Sequence, residues 1–334
     1  MHIRKMTGTE KFLLVLIVVY CIIVAAVNPA FLSWETLFDL IRSSAGNMIL
    51  AMGVLVVMIS GGIDVSFPAI ALFGGYTATR LMMAWDINNM VFAFAVSIGI
   101  GLVLGLINAL IIYLLKIEPF IVTLGTASIF HGLMTVLVGT TNIGASKLPT
   151  SYTSFGAAKL FSITDSYGAE IGVSVFIIPV ILAIAVTWFM LYKTMIGRGI
   201  FAMGCSEESA KRAGFNNFHT RLVIYCFAGV LAGIMGIIYV ANCNTCNPIS
   251  LIGTEMSVIA AVVIGGAKMT GGQGTILGTF LGVLIMNLLN STLVFLGFSA
   301  SWNNFFIGII LLVSIGATSY QERMKNRKNF IYTE

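Results

Sequence analysis

Charge is what this sequence has least of. Asp, Glu, Lys and Arg together make up 9% of its 334 residues, where a soluble domain carries about 25%. So few charges cannot cover a water-facing surface, and a soluble globular fold is excluded. Histidine is scarce as well, with only His2, His131 and His219, far apart in the chain. No Ser-His-Asp set and no paired carboxylates occur, so no hydrolase signature is present. The five cysteines are Cys21, Cys205, Cys226, Cys243 and Cys246. The last two form CNTC, without the further ligands of a structural zinc site. They read as small residues in a short outer loop, open to a local disulfide if that loop faces an oxidising compartment. No Walker A pattern occurs. The glycine-rich run GGAKMTGGQGTILG (Gly265 to Gly278) reads instead as a tight inner turn between two spans.

What is abundant is oil. The composition is 58% hydrophobic, with a mean hydropathy of +0.99. So much apolar surface points to a bilayer as solvent, crossed by helices of about 20 residues. The fold class is therefore an all-α polytopic membrane protein. Apolar runs fall near 11–28, 44–60, 66–84, 90–115, 120–138, 172–192, 222–241, 255–267, 272–296 and 302–319. That gives about ten transmembrane helices, and the second and eighth runs read as short, tilted or broken. The basic N-terminus before the first run reads as the flank of a retained helix, not a cleaved signal.

With this count both termini are cytoplasmic. The same side receives Arg4, Lys5, Lys11, Lys116, Lys193, Arg198, Lys211, Arg212, Arg221, Lys268, Arg323, Lys325, Arg327 and Lys328. Only Arg42, Arg80, Lys147 and Lys159 fall on or near the other side. This is a positive-inside distribution, so the formal net charge of +5 reports topology, and no nucleic-acid partner is expected. The longest outer loop, near 139–171, is polar and almost neutral. The 35 glycines suit close helix crossings, with Gly101, Gly105, Gly125, Gly278 and Gly282 placed for them. GLVLGLIN from Gly101 and GTFLGVLIMN from Gly278 are alike, which hints at a duplicated half.

A few polar residues interrupt the oil. Asp64, in ISGGIDVS, is the only charge between Ala45 and Thr79. It reads as a cap for the next helix or as a functional intramembrane acid. Glu255 sits where a helix dipole favours a carboxylate, or lines a polar entrance. Asn47, Asn108, Asn287 and Asn290 lie in apolar runs, as interhelical hydrogen-bond partners or as the lining of a path for a polyhydroxyl solute. The candidate pathway set is Asn47, Asp64, Asn108, Glu255 and Asn287, with no catalytic or metal-ligating residue.

The longest polar inner stretch is IGRGIFAMGCSEESAKRAGFNNFHTR (Ile196 to Arg221). From Ser206 it carries a helix N-cap, acidic residues in the first turn, basic ones in the last and glycine at the stop. This stretch resembles the inner loop of permease subunits of bacterial ATP-binding-cassette importers, in the ribose-type branch of the branched-chain permease family. Gly197, Arg198, Ala202, Gly204, Glu207, Ala210 and Gly214 match that loop. SGGIDVS is similar to the family's SGGIDLS, and EPFIVTLGT (Glu118 to Thr126) to its FIxTL segment. Glu255 to Leu284 resembles ELxxIAAVVxGG followed by GGxGxxxGT. Phe67 and Pro68, Cys205 and Ser206, and Cys243 and Cys246 depart from the family pattern.

The resemblance implies a single transmembrane permease domain over 1–334, with a cytoplasmic coupling loop at 193–221. In that loop Gly197, Arg198, Gly204, Glu207, Glu208, Ala210, Lys211, Arg212 and Gly214 would dock on an ATP-binding subunit. The implied function is import of a pentose, hexose or sugar-like solute across the bacterial cytoplasmic (inner) membrane by alternating access. The implied partners are ATP-binding subunits, an extracytoplasmic solute-binding protein and a second permease copy or paralogue. This chain would bind no cofactor, and ATP and magnesium would be used by the partner subunits. A secondary transporter using Asp64 or Glu255 is the alternative from the residues alone. A membrane-bound enzyme would need a catalytic constellation, and the sequence offers none.

Overall fold

The computed structural model describes residues 6–164 and 170–293, with scattered positions between 295 and 316. In chain order the helices are α1 (Gly8–Val27), α2 (Trp34–Ile59), α3 (Phe67–Ala84), α4 (Met90–Leu115), α5 (Pro119–Leu137) and α6 (Thr150–Ala157). Strands β1 (Lys159–Thr164) and β2 (Glu170–Ser174) follow. Then come α7 (Ile177–Lys193), α8 (Met195–Cys205), α9 (Glu207–Arg212), α10 (Asn217–Cys243), α11 (Glu255–Ile264) and α12 (Ile276–Thr292). Among the described residues, α1, α2, α4, α5 and α10 are long and apolar enough to cross a membrane. A sixth span results if α7 and α8, bent by 76° at their junction, are taken as one. The helical, polytopic reading of the sequence holds. The run 302–319 lies mostly outside the described residues.

The packing has an inner and an outer layer. α2 is buried continuously from Met48 to Ile59, and α10 buries residues along most of its length. A helix that is apolar all round belongs inside a bundle. α3 and α4 pack against α10, through backbone contact that only small residues permit. A methyl group on Gly101 would sit 2.1 Å from the carbonyl oxygen of Gly229, and one on Gly233 2.5 Å from that of Ser97. By contrast α1, α4, α5 and α7 expose large apolar side chains, among them Ile22, Leu114, Ile121 and Phe189. Those faces suit lipid contact. α1 is tied into the bundle at both ends. Tyr20 Oη lies 2.6 Å from Thr292 Oγ1 on α12, and Thr275 Oγ1 donates to Glu10 at 2.6 Å.

Three sequence expectations are corrected. The second span is not short. α2 runs 26 residues, starting at the Ser33 N-cap, because Glu35, Asp39 and Arg42 occupy its first turns instead of preceding it. The sixth begins at Ile177, since residues 170–174 pair with β1 as an antiparallel hairpin, Thr164 opposite Glu170. This hairpin is a small β addition to the helical fold. The loop near 139–171 is also structured beyond the hairpin. It buries Tyr152, whose Oη lies 3.0 Å from Thr79 Oγ1, and α6 presses Gly156 against Ala241. Finally, among the described residues Gly125 serves no helix crossing. A methyl group there would meet nothing within 4 Å, because α5 packs through the buried Val122, Thr123 and Thr126 instead.

Candidate functional site

The 193–221 stretch folds as two short helices. Thr194 caps α8, its side chain accepting from Gly197 N at 3.1 Å, and the chain turns sharply as it leaves α7. Gly197 permits this turn, since a methyl group there would lie 2.2 Å from Leu191 O. Ser206 caps α9 by accepting from Ser209 N at 3.2 Å. Glu207 and Glu208 lie in the first turn and Lys211 and Arg212 in the last. Ala210 is buried, whereas Arg198, Glu207, Glu208, Lys211 and Arg212 are exposed. Arg212 pairs with Glu208 one turn away. Arg221 Nη2 donates to Glu207 at 3.0 Å, and Asn217 Nδ2 donates to Glu207 O at 2.8 Å. Gly214 ends the segment at φ +88°, a left-handed turn that glycine adopts without a Cβ penalty.

Gly204 joins this segment to the rest of the bundle. A methyl group on it would sit 1.8 Å from Ile59 O and 2.5 Å from Gly272 N. Gly272 N itself donates to Ile59 O at 2.8 Å. Three turns therefore meet backbone to backbone: the end of α2, the end of α8, and the α11–α12 turn. That last turn carries Gly266, Gly271 and Gly272 at positive φ, as the glycine run implied. Beside the junction lies a groove of ≈ 500 Å³. Lys116, Glu118, Glu207 and Arg221 give it charges of both signs, and Tyr225 lines its wall.

The five pathway candidates form two separate groups and a single. Asp64 follows the end of α2, in the connection to α3. Its Oδ1 accepts from Ser66 N and from Ser66 Oγ, each at 2.7 Å. The carboxylate thus binds the residue that caps α3, not the first turn of α3. Burial pushes the Asp64 carboxyl up from the ordinary carboxylate range, opposed by the two Ser66 hydrogen bonds. Asn108 Nδ2 on α4 donates to the same Ser66 Oγ at 2.8 Å. Asp64, Ser66 and Asn108 form one buried chain, and Asn108 Oδ1 has no partner.

The second group is Asn47 on α2 and Asn287 on α12, with Asn47 Nδ2 donating to Asn287 Oδ1 at 3.1 Å. Asn287 Nδ2 is buried without a partner. Twelve positions of helix separate Asn47 from Ile59, about 18 Å along the axis, so the two groups lie at different depths. Glu255 opens α11 and is half-buried. Asn290 faces outward.

Sequence reasoning missed two polar anchors. Glu10 is buried and forms a capping box with Thr7, accepting from Thr7 N at 2.7 Å. The T-x-x-E spacing is its signal. Arg42 lies on α2 one turn before the stretch that holds Asn47, and its Nε donates to Asn242 Oδ1 at 2.9 Å. Its signal was an arginine within a helix otherwise suited to the membrane.

The family model described as branched-chain amino acid transport system / permease component matches residues 36–315. The ribose import permease protein RbsC of Bacillus subtilis (strain 168) is 35% identical over 295 residues, 88% of each chain. RbsC of Escherichia coli (strain K12) is 30% identical over 308 residues, 92% of each chain. The galactose/methyl galactoside import permease protein MglC of Escherichia coli (strain K12) is 29% identical over 334 residues, 95% of this chain and 96% of the relative. No solved structure matches the chain.

Proposed function

The chain belongs to this family of transport-system permease components, a multi-pass membrane subunit of ATP-binding-cassette importers, and on that premise we propose that it carries a small sugar across the cytoplasmic membrane. The relatives are named for ribose and galactose, which supports a pentose, hexose or sugar-like solute. Partner subunits would bind ATP and magnesium, and this chain would supply the path. A solute-binding protein would deliver sugar at the end of the bundle that carries the β1–β2 hairpin. The α9 end would face the cytoplasm. A second copy of the chain, or a paralogue, would complete the pathway.

The observation that carries the mechanism is the backbone junction at Gly204. In the proposed cycle two ATP-binding subunits hold α9 through Glu208, Lys211, Arg212 and Arg198. When they close, α9 moves, and α8 moves with it. Gly204 transmits the shift directly to the last turn of α2 and to the α11–α12 turn, because no side chain cushions the contact. α2 and α12 carry Asn47 and Asn287, so a shift of either helix alters the polar lining of the path. Weak solute contacts suit such a cycle, since transport requires release.

The test is uptake of labelled D-ribose and D-galactose by cells expressing the chain with its neighbouring ATP-binding subunit and binding protein. Uptake should stop when ATP is depleted and persist when ion gradients are collapsed with ATP maintained. The reverse pattern would mark a secondary transporter and contradict the proposal.

A further inference from the structure

We propose that the cavity between α2, α10 and the 244–254 connection is the solute chamber at the hairpin end of the path, and that it takes one uncharged polyhydroxyl molecule, held by Arg42 and Asn242. This rests on the permease reading above. The cavity measures ≈ 290 Å³, near the low end of the roughly 300–1,000 Å³ typical of small-molecule sites. It has room for a monosaccharide and not for a chain of them. Its polar lining includes Arg42, Asn47, Tyr239, Asn242, Ser250 and Thr254, a set of amides and hydroxyls around one guanidinium.

Arg42 is held in place without being neutralised. Its Nε donates to Asn242 Oδ1 at 2.9 Å, and its guanidinium carbon lies 5.9 Å from the centre of the Phe176 ring. Among the described residues no carboxylate forms an ion pair with it. The terminal nitrogens therefore offer a planar fork of donors, and two adjacent hydroxyl oxygens of a polyol can accept from it. Arg42 stands on a helix otherwise long and apolar enough to cross a membrane, and an ionisable residue on such a helix is a candidate for a pathway. Glu35, Asp39 and Glu170 line an adjoining recess against Arg42 and Lys159, so carboxylates outnumber cations there and the local field does not favour an anionic solute. Tyr239 adds an aromatic wall for the apolar face of a sugar ring. Behind Asn47 lies Asn287, 4% exposed, with its Nδ2 unpartnered. This leaves a buried donor next to the chamber's inner end.

The test uses the full importer in proteoliposomes, with labelled D-ribose, D-galactose and D-galacturonate as probes. Wild-type protein should take up a neutral sugar and not the uronate. Arg42→Ala and Asn242→Ala should each cut that uptake by about tenfold or more, the expected cost of losing a charge-assisted hydrogen bond. ATP hydrolysis stimulated by the loaded binding protein should persist in both. Glu35→Gln, in the adjoining recess, should leave uptake unchanged. If Arg42→Ala fails to fold, Ser250→Trp, which fills the cavity from its loop side, serves instead and should block uptake. Wild-type uptake in Asn242→Ala and Ser250→Trp, or uptake of galacturonate alone, would overturn the proposal. Absence of both uptake and stimulated ATP hydrolysis in the wild type would remove the permease reading and this inference together.

Discussion

At the scale of single residues, the molecule turns on positions where a methyl group has no room. Gly204 is the sharpest case, with Ile59 O only 1.8 Å from where a Cβ would stand. Gly204→Ala must push α8 away from α2 and the α11–α12 turn. Overpacking of this kind costs about 1–3 kcal/mol, so the melting temperature in detergent should fall. Gly125→Ala is the matched control. It meets open space and gains helix propensity of roughly 0.8–1.0 kcal/mol, so its melting temperature should hold or rise. A second residue-scale expectation concerns Asp64. Its carboxylate satisfies the buried N–H and hydroxyl of Ser66. Asp64→Ala strands both, at about 1–3 kcal/mol for an unmade buried hydrogen bond. Asp64→Asn keeps an acceptor oxygen and should melt closer to wild type. If the two variants melt together well below wild type, the charge and not the hydrogen bonding is what Asp64 contributes.

At the scale of elements, α9 carries its charges on an exposed face. Its ion pair between Glu208 and Arg212 is almost fully exposed, and such pairs contribute little to folding, about 0.3–0.5 kcal/mol. The reversed pair Glu208→Arg with Arg212→Glu opposes the helix dipole at both ends of α9, at about 0.3–1 kcal/mol per exposed charge, and should lower the melting temperature only slightly. It should abolish ATP-dependent uptake and co-purification of the ATP-binding subunit. Normal uptake would show that α9 is only a linker. The caps of α9 were legible in the sequence, because S-E-E-x-x-K-R-x-G places each group where the helix ends need it. The backbone junction at Gly204 was not legible, since Ile59, Gly204 and Gly272 come from three distant turns and nothing local marks their meeting. The charged start of α2 misled for a simpler reason. Glu35, Asp39 and Arg42 break an apolar run, yet the helix continues through them, since helical hydrogen bonding does not depend on side-chain polarity. The hairpin β1–β2 was hidden inside a loop whose composition is merely polar.

At the scale of the whole molecule, the two ends of one bundle are proposed to face two sides of a membrane. The positive-inside distribution is the ground for proposing that the α9 end faces the cytoplasm, and single-cysteine labelling tests it. In a background with Cys21, Cys205, Cys226, Cys243 and Cys246 replaced by serine, Lys211→Cys should react with an impermeant maleimide only in inverted vesicles. Ser162→Cys, in the exposed strand β1, should react only in intact cells or right-side-out vesicles. The asparagines show where sequence reading reached its limit at this scale. Asn47, Asn108 and Asn287 were recognisable as buried amides, but their partners lie up to 240 residues away in the chain. Composition cannot supply such pairings, so they emerge only from the fold. The measurement that bears most directly on the central claim is ATP hydrolysis by the chain reconstituted with its ATP-binding subunit, as binding proteins loaded with different sugars are added. Stimulation by one sugar-loaded binding protein is the result expected. Failure of the ATP-binding subunit to associate with the chain at all would contradict the account.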